Sequence, residues 1–574
     1  MLRRHAAFGI ALVVLATTIS GRAGITPAAE GKVFRAGAAA VEITPRKLPA
    51  TISGGFLPGR AERVNDPLFA RSLVLDDGST RLAIVVVDTL MMPRELVDDA
   101  KARAEKATGI AADHVLVAAV HTHSAPSVMG ALGTGVDEDY ARRLPGWIAE
   151  SIAAAAKNLA PAKVGWAVAV DDRHTNCRRW IRRPDRIGAD PFGEPTIRAM
   201  MHPGYQNPDY VGPAGPKDPG LSLLAVQSPQ RRPIALLANY SMHYFGAAPV
   251  SADYFGRFCR KMAELVGAEK ADPPLVAMMS QGTAGDLHWM DYSRPARSIG
   301  IDTYASEVAQ VASAAYKTIR YRDWVELAMA ERKLALGRRA PDEKRLAWAR
   351  KMIEGMKGRT VPANIPEVYA LEQVYLHNEP KRELKLQAVR IGELGLTAIP
   401  AEVFGITGLK IKAQSPLEPT FNLELANGAD GYIPPPEQHT LGGYTTWPAR
   451  TAGLEVQAEP KIVETLLQLL EQVSGKSRRK LGESHGPYAR AVLASRPAAY
   501  WRLGEFAGPR AVDATEQQNH GHYEDGIAFY LEGPEGQSLV VHVQNISPDT
   551  APWTPGDEVS CHLEPKSVFI LRKG

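Results

Sequence analysis

Cysteine is scarce. Only Cys177, Cys259 and Cys561 occur in 574 residues. That excludes a disulfide scaffold, and the odd count leaves at least one thiol unpaired within the chain. A tightly held metal would therefore have to rely on histidine and carboxylate side chains. Charge of one sign is also not in excess. Lysine and arginine number 67 against 63 acidic residues, for a net charge of +4. A general polyanion-binding surface is not indicated, so nucleic acid is not an expected partner. Beyond the N-terminus no run is apolar enough to span a bilayer. Internal repeats and long low-complexity tracts are absent as well. What remains is 45% hydrophobic and 23% charged. That is an ordinary globular balance, in a chain long enough for a large core and more than one domain.

The N-terminus reads as a secretory signal over residues 1–29. Arg3 and Arg4 form its basic start, and "AAFGIALVVLATTI" (Ala6–Ile19) forms its apolar stretch. Gly21, Ala23 and Gly24 supply the small residues that follow. The apolar run is short for a span, and a tethering helix is the alternative. The mature protein is expected to be secreted or periplasmic.

Two β-rich runs flank Asp77-Gly78 in "LVLDDGSTRLAIVVVD", which is a hairpin signal. "PRELVDDAKARAEKATG" (Pro93–Gly109) has proline near its start and glycine at its end, as helices prefer. "HVLVAAV" (His114–Val120) reads as a buried strand. Strand, helix and strand within about forty residues suggest a βαβ unit and an α/β sheet. "PIALLANYSMHYFG" is a second buried run with a polar end at His243. Residues 341–358 read as a surface helix, and Pro460–Gly475 as a helix with proline and glycine at its ends. "KSRRKLGESHGP" (Lys476–Pro487) is a charged break. Beyond it, "AAYWRLGE" is similar to the opening of laminin-G-like or concanavalin-like modules, and "SLVVHVQNI" and "SVFILRK" are strand-like. Residues 488–574 are thus expected to form a small β-rich appendage.

"AAVHTHSAPS" (residues 118–127) places His121 and His123 two positions apart, just past an apolar run. Alternate residues of a strand point to one face, so the two imidazoles are expected to address one site. A strand's carboxyl end is where ligands collect in open α/β sheets. By itself the pair reads equally well as structural histidines. Further groups able to bind metal or move protons stand in "ANYSMHYFG", "SQGTAGDLHWMDY", "IPAEVFG" and "GYIPPPEQHTLGGY". Taken singly, His243 reads as a core histidine, Glu402 as an acid in a first helical turn, and Tyr432 and Tyr444 as core aromatics.

Together and in this order, these segments resemble the neutral/alkaline non-lysosomal ceramidase family. The resemblance runs over residues 32–475, from "AVEITPR" and "NDPLFARSLVL" through "HTHSAP" to the last helix. It implies a large ceramidase-like α/β domain over residues 32–478, with mixed sheets and flanking helices. It implies one Zn2+ held by His121, His243, Glu402 and Tyr432. Tyr444 would hydrogen-bond the substrate carbonyl or oxyanion, and His123 would lie beside the metal as a polar partner. "TNCRRW" is similar to the family's Asn-Arg segment. Its arginine corresponds to Arg178 if Arg-Arg-Trp sets the register, although Cys177 departs from the pattern. Imidazole and carboxylate suit zinc, which lowers the pKa of water and polarises a carbonyl. Arg178, His123 and Tyr444 would then steady a tetrahedral oxyanion.

Two departures bear on function. Where the family carries a catalytic serine, "GDLHW" has His288. Either water attacks directly with His288 or His123 carrying the proton, or the substrate is not ceramide, or activity is lost. At the C-terminus the family has an immunoglobulin-like domain, which residues 480–574 do not resemble. The expected function is an exported zinc amidohydrolase acting on the N-acyl bond of ceramide or a related lipid amide. The alternatives are a zinc hydrolase for another amide or ester, and an inactive exported protein that binds a glycan or a membrane surface. Oligomeric state is left open.

Overall fold

The computed structural model describes residues 32–480, 486–502, 510–522, 526–532 and 538–544. Residues 1–29, read above as a secretory signal, together with Cys561 and "SVFILRK", lie outside the described residues. The chain divides into two units, Met1–Arg479 and Lys480–Gly574.

Three mixed sheets build the first unit. The first joins β1 (Arg35–Glu42), β2 (Phe69–Asp76), β3 (Arg81–Val87), β4 (Val115–Ala119) and β5 (Ala160–Pro161) in the order β4-β3-β2-β1-β5. Strands β2 and β3 form the hairpin expected around Asp77-Gly78. Gly78 takes φ +90 there, and the Asp77 carboxylate accepts from the backbone N–H groups of Ser79 and Thr80. That is the local hydrogen bonding that makes Asp-Gly a turn former. From β3 the chain crosses through α1 (Arg94–Thr108) to β4, which pairs with β3 in parallel. Gly109 closes α1 in the left-handed conformation, where a Cβ would be penalised.

The second sheet holds β6 (Lys163–Val170), β7 (Gly220–Gln227), β8 (Pro233–Tyr240) and β9 (Val276–Gln281) in the order β9-β8-β7-β6, with β8 and β9 parallel. The third holds β10 (Leu327–Gly337), β11 (Lys381–Ile391), β12 (Leu394–Ile399) and β13 (Thr420–Glu424) in chain order, with β12 and β13 parallel. The alternation of β3 and β4 explains how these layers stack. Ile84, Val86 and Leu116 pack into one cluster with Leu223, Leu237, Leu396 and Phe421 of the other two sheets. Val85, Val87 and Val117 point the other way, onto Val97 and Ala100 of α1 and Leu144 and Ile148 of α2 (Glu138–Lys157). A strand covered on both faces needs an unbroken apolar run, which is what "IVVV" and "VLVAA" supply.

The carboxyl ends of β4, β8, β9 and β12 are followed within a few residues by His121, His243, Asp286–His288 and Glu402, respectively. One correction belongs here. His121 and His123 do not share a face through strand pleating, because β4 ends at Ala119 and His121 has φ 74. A left-handed turn, and not the period of two, brings the rings together.

In the second unit the described residues form a helix (Pro487–Ala494), a ribbon of Arg510–Ala511 with Gly521–His522, and a hairpin of Gly526–Glu532 with Ser538–Gln544. The β-rich reading misses the helix. "PYARAVLA" has proline in its first turn and four helix-favouring alanine and leucine side chains, so local propensity is sufficient reason for it. No helix among the described residues is long and apolar enough to cross a membrane.

Candidate metal centre

His121 follows β4, and its backbone N–H donates to Thr89 O at 2.9 Å. Its Nδ1 lies 2.9 Å from Leu90 O. A carbonyl only accepts, so Nδ1 donates, and in the neutral ring it is Nε2 that presents a lone pair. His243 is fully buried three residues past β8, with Nδ1 3.1 Å from Ala284 O. The same reasoning leaves its Nε2 unprotonated. These two lone pairs face each other at 3.0 Å. His123 Nε2 stands 3.2 Å from His121 Nε2, and its ring stacks on Tyr244 at 3.8 Å. Gly54 makes room for this ring: a Cβ there would meet His123 Nδ1 at 2.5 Å. Burial, then His121 and Arg178, push the pKa of His123 well below the usual histidine value.

Glu402 and Tyr432 arrive side by side. The ribbon Glu402–Val403 pairs in parallel with Tyr432–Ile433, and Glu402 is opposite Tyr432. Glu402 Oε2 lies 3.3 Å from His121 Nε2 and 3.6 Å from His243 Nε2. No hydrogen-bond donor reaches that buried oxygen. Burial, then Glu402 and Tyr444, raise the pKa of Tyr432 well above the usual tyrosine value. Its ring is 5.3 Å from that of Tyr444. Behind Glu402 stands Glu424, whose carboxyl is pushed well above the usual range by burial and then by Glu402.

The donor set fits zinc. Ligand bonds of about 2.0–2.1 Å in a tetrahedron put ligand atoms about 3.3 Å apart. The observed separations among the His121, His243 and Glu402 atoms, 3.0, 3.3 and 3.6 Å, bracket that spacing. A buried carboxylate oxygen without a donor costs several kcal/mol, and so does facing it with unprotonated nitrogens. A cation among them relieves both. Among the described residues, His121, His123 and His243 form the group able to hold a metal ion.

Arg178 and Arg179 take opposite roles. Arg178 Nη2 donates to Gly285 O at 3.0 Å and Tyr432 OH at 3.1 Å, and it stands 3.1 Å from His243 Nε2. That last contact competes with a metal for the nitrogen, while the other two hold the guanidinium nearby. Arg179 turns away from the site and is fully buried. It donates to Gln438, to Thr445 Oγ1 and to Gly442 O, so it grips the loop that presents Tyr444. Burial lowers its pKa to about 10.

His288 lies in a two-residue ribbon opposite Asn176. Its ring is 5.2 Å from both Tyr244 and His202, at the margin of the histidine cluster. Nδ1 is buried without a hydrogen-bond partner. Burial, followed by Arg178, His202 and His123, pushes its pKa well below the usual value. The fold thus brings His121, His123, Arg178, His243, Glu402, Tyr432 and Tyr444 into one cluster, with His288 at its edge. Sequence reasoning missed His202, Tyr244, Tyr292, Arg179 and Glu424. Adjacency to His243 and Arg178 was the available signal for Tyr244 and Arg179. His202, Tyr292 and Glu424 carried none.

Comparison with solved structures relates the fold, and the fold alone, to known proteins. A neutral ceramidase from Pseudomonas aeruginosa superposes with TM-score 0.57 at 15% identity, over 84% of this chain and 81% of that one. The chain has a ceramidase-like fold. A ceramidase complexed with C2 gives TM-score 0.56 at 16% identity, over 79% and 78% of the two chains. No protein-family profile matches the sequence, and no curated protein does.

The ceramidase-like core places a demand on Gly431, which precedes Tyr432. It has φ +75, and a Cβ would lie 2.2 Å from the backbone carbon of Thr451. Gly431→Ala is expected to lower stability by about 2–4 kcal/mol, combining left-handed strain with a backbone clash. Denaturant unfolding of the variant checks this. An unchanged midpoint would show that the 431–451 contact yields freely.

Proposed function

We propose that this protein is a zinc-dependent amide hydrolase that cleaves the N-acyl bond of ceramide or a related lipid amide. The observation that carries the reading is the meeting of the His121 and His243 Nε2 atoms with a buried Glu402 oxygen that has no hydrogen-bond partner, beside Tyr432, Tyr444 and Arg178. The fold shared with ceramidases supports it. His121, His243, Glu402 and Tyr432 would hold the zinc, with His123 within reach. Bound there, zinc supplies Lewis-acid polarisation and acidified water.

The chain's own groups account for the rest. Arg178 keeps a positive charge beside the centre, and Tyr444 offers a hydroxyl, so both serve the oxyanion that forms at the amide carbon. Burial excludes bulk water and strengthens these contacts. Next to Tyr444 lie two half-buried apolar rings, Phe56 at 5.4 Å and, past the fully buried Tyr369, Phe192. They provide apolar surface for an acyl group. His288, in place of a serine, would take at its unpartnered Nδ1 the proton released as water adds to the amide carbon and pass it to the leaving amine.

One observation favours a second reading, a zinc hydrolase for a more polar amide. The rings of Tyr244 and His202 pack against His288, with Tyr292 beside His202, and all of these carry polar atoms. Zinc analysis together with turnover of ceramide, N-acyl amino acids and short amides separates the readings. Stoichiometric zinc with ceramide turnover supports the first. Turnover of polar amides alone supports the second. Metal without turnover of any of them refutes both.

A further inference from the structure

We infer that His202 is a positioning residue for Arg178, holding the guanidinium in the site as a neutral, Nδ1-protonated imidazole. The inference rests on the amide-hydrolase reading for its kinetic consequences but not for its geometry.

His202 lies just past the strand Ala199–Met201, in the loop "MHPGY", with φ 54. Its backbone N–H donates to Arg178 O at 2.9 Å, which ties the two residues at the main chain. Their side chains also meet, with Arg178 Nη1 3.3 Å from His202 Nε2. A guanidinium only donates, so Nε2 must accept and be unprotonated. The proton of the neutral ring then sits on Nδ1, 2.6 Å from Tyr292 OH. With its oxygen accepting from His202, Tyr292 directs its own proton to Met290 Sδ at 3.0 Å. Every link has one direction: Arg178 to His202 to Tyr292 to Met290. His202 is exposed as a whole residue, but desolvation of its ring and then Arg178 lower its pKa to about 3, in the direction the hydrogen bonds require.

This chain matters because Arg178 is otherwise held by one nitrogen. Nη2 serves Gly285 O and Tyr432 OH, while buried Nε has no partner. Without His202, the orientation of the guanidinium plane would rest on the contacts of that one nitrogen. His202 on Nη1 fixes the plane. Arginine that must meet charge developing on a carbonyl oxygen gains most from such orientation, because its donors are rigidly forked.

The test uses the full, zinc-loaded chain and the variants His202→Leu and His202→Gln. Glutamine can accept from Arg178 and donate to Tyr292, whereas leucine can do neither. His202→Leu is expected to keep zinc stoichiometry and KM, and to lose about tenfold or more in kcat, with His202→Gln recovering most of it. A kcat for His202→Leu within about twofold of wild type, or a glutamine variant no better than leucine, overturns the inference. If the wild type hydrolyses no amide, the functional reading fails while a second measurement still judges the geometry. Ring-15N histidine spectra at neutral pH, with the His202 signals identified by their loss in His202→Gln, are expected to show protonated Nδ1 and bare Nε2. The opposite tautomer, or a charged ring, overturns the inference whatever the activity.

Discussion

His243→Ala is expected to abolish stoichiometric zinc and to lower amide turnover by about a thousandfold or more. His243 Nε2 faces His121 Nε2 at 3.0 Å and Glu402 Oε2 at 3.6 Å, so its removal opens one side of the donor set. Changing even the outer partners of metal ligands costs about 10–100-fold in affinity, and loss of a ligand exceeds that. The fold should survive, because the side chain deleted is a polar one at the end of β8 and not part of the apolar clusters. Metal analysis after dialysis, paired with thermal unfolding, reads both quantities. A folded His243→Ala protein that retains one zinc per chain would remove this histidine from the metal site.

Removing the imidazole at 288 should act differently. His288→Ala is expected to keep zinc and lose about a hundredfold in turnover, the usual worth of a positioned acid or base. His288→Ser should not restore activity, since the neighbouring Tyr244 and His202 rings are packed around an imidazole. The pH dependence carries its own sign. Burial and Arg178 depress the His288 pKa, so its basic form is already complete well below pH 6.5. Raising the pH through 6.5 therefore recruits no further base at this residue. Turnover measured from pH 5.5 to 8 should show no rise near 6.5 that vanishes in His288→Ala. Full activity in that variant would make His288 a packing residue.

Much of the scaffold was legible because its signals are local. Asp77-Gly78 turns the chain by its own hydrogen bonds, and Gly109 and Gly475 end helices in a left-handed conformation that disfavours a Cβ. The unbroken apolar runs of β3 and β4 already implied strands covered on both faces. The helix Pro487–Ala494 is equally local, with proline in its first turn and alanine and leucine after it.

By itself the sequence determined which chemical groups are available and in what order: His121, His243, Glu402 and Tyr432, with few thiols to compete. Tertiary structure alone decided how they meet. His121 and His243 are 122 positions apart, and only the stacking of two sheets aims their Nε2 atoms at one point. The approach of His121 and His123 depends on a left-handed turn after β4, which alternation along a strand cannot foretell. Of two adjacent arginines, Arg178 faces the site and Arg179 grips the Tyr444 loop, a choice made by the strand Arg179–Arg182 and its neighbours. His202 had no motif to mark it, because its role comes from touching Arg178 and Tyr292 across the fold. Local propensity is written residue by residue, whereas convergence depends on long-range packing, where each contact is specified by many residues at once.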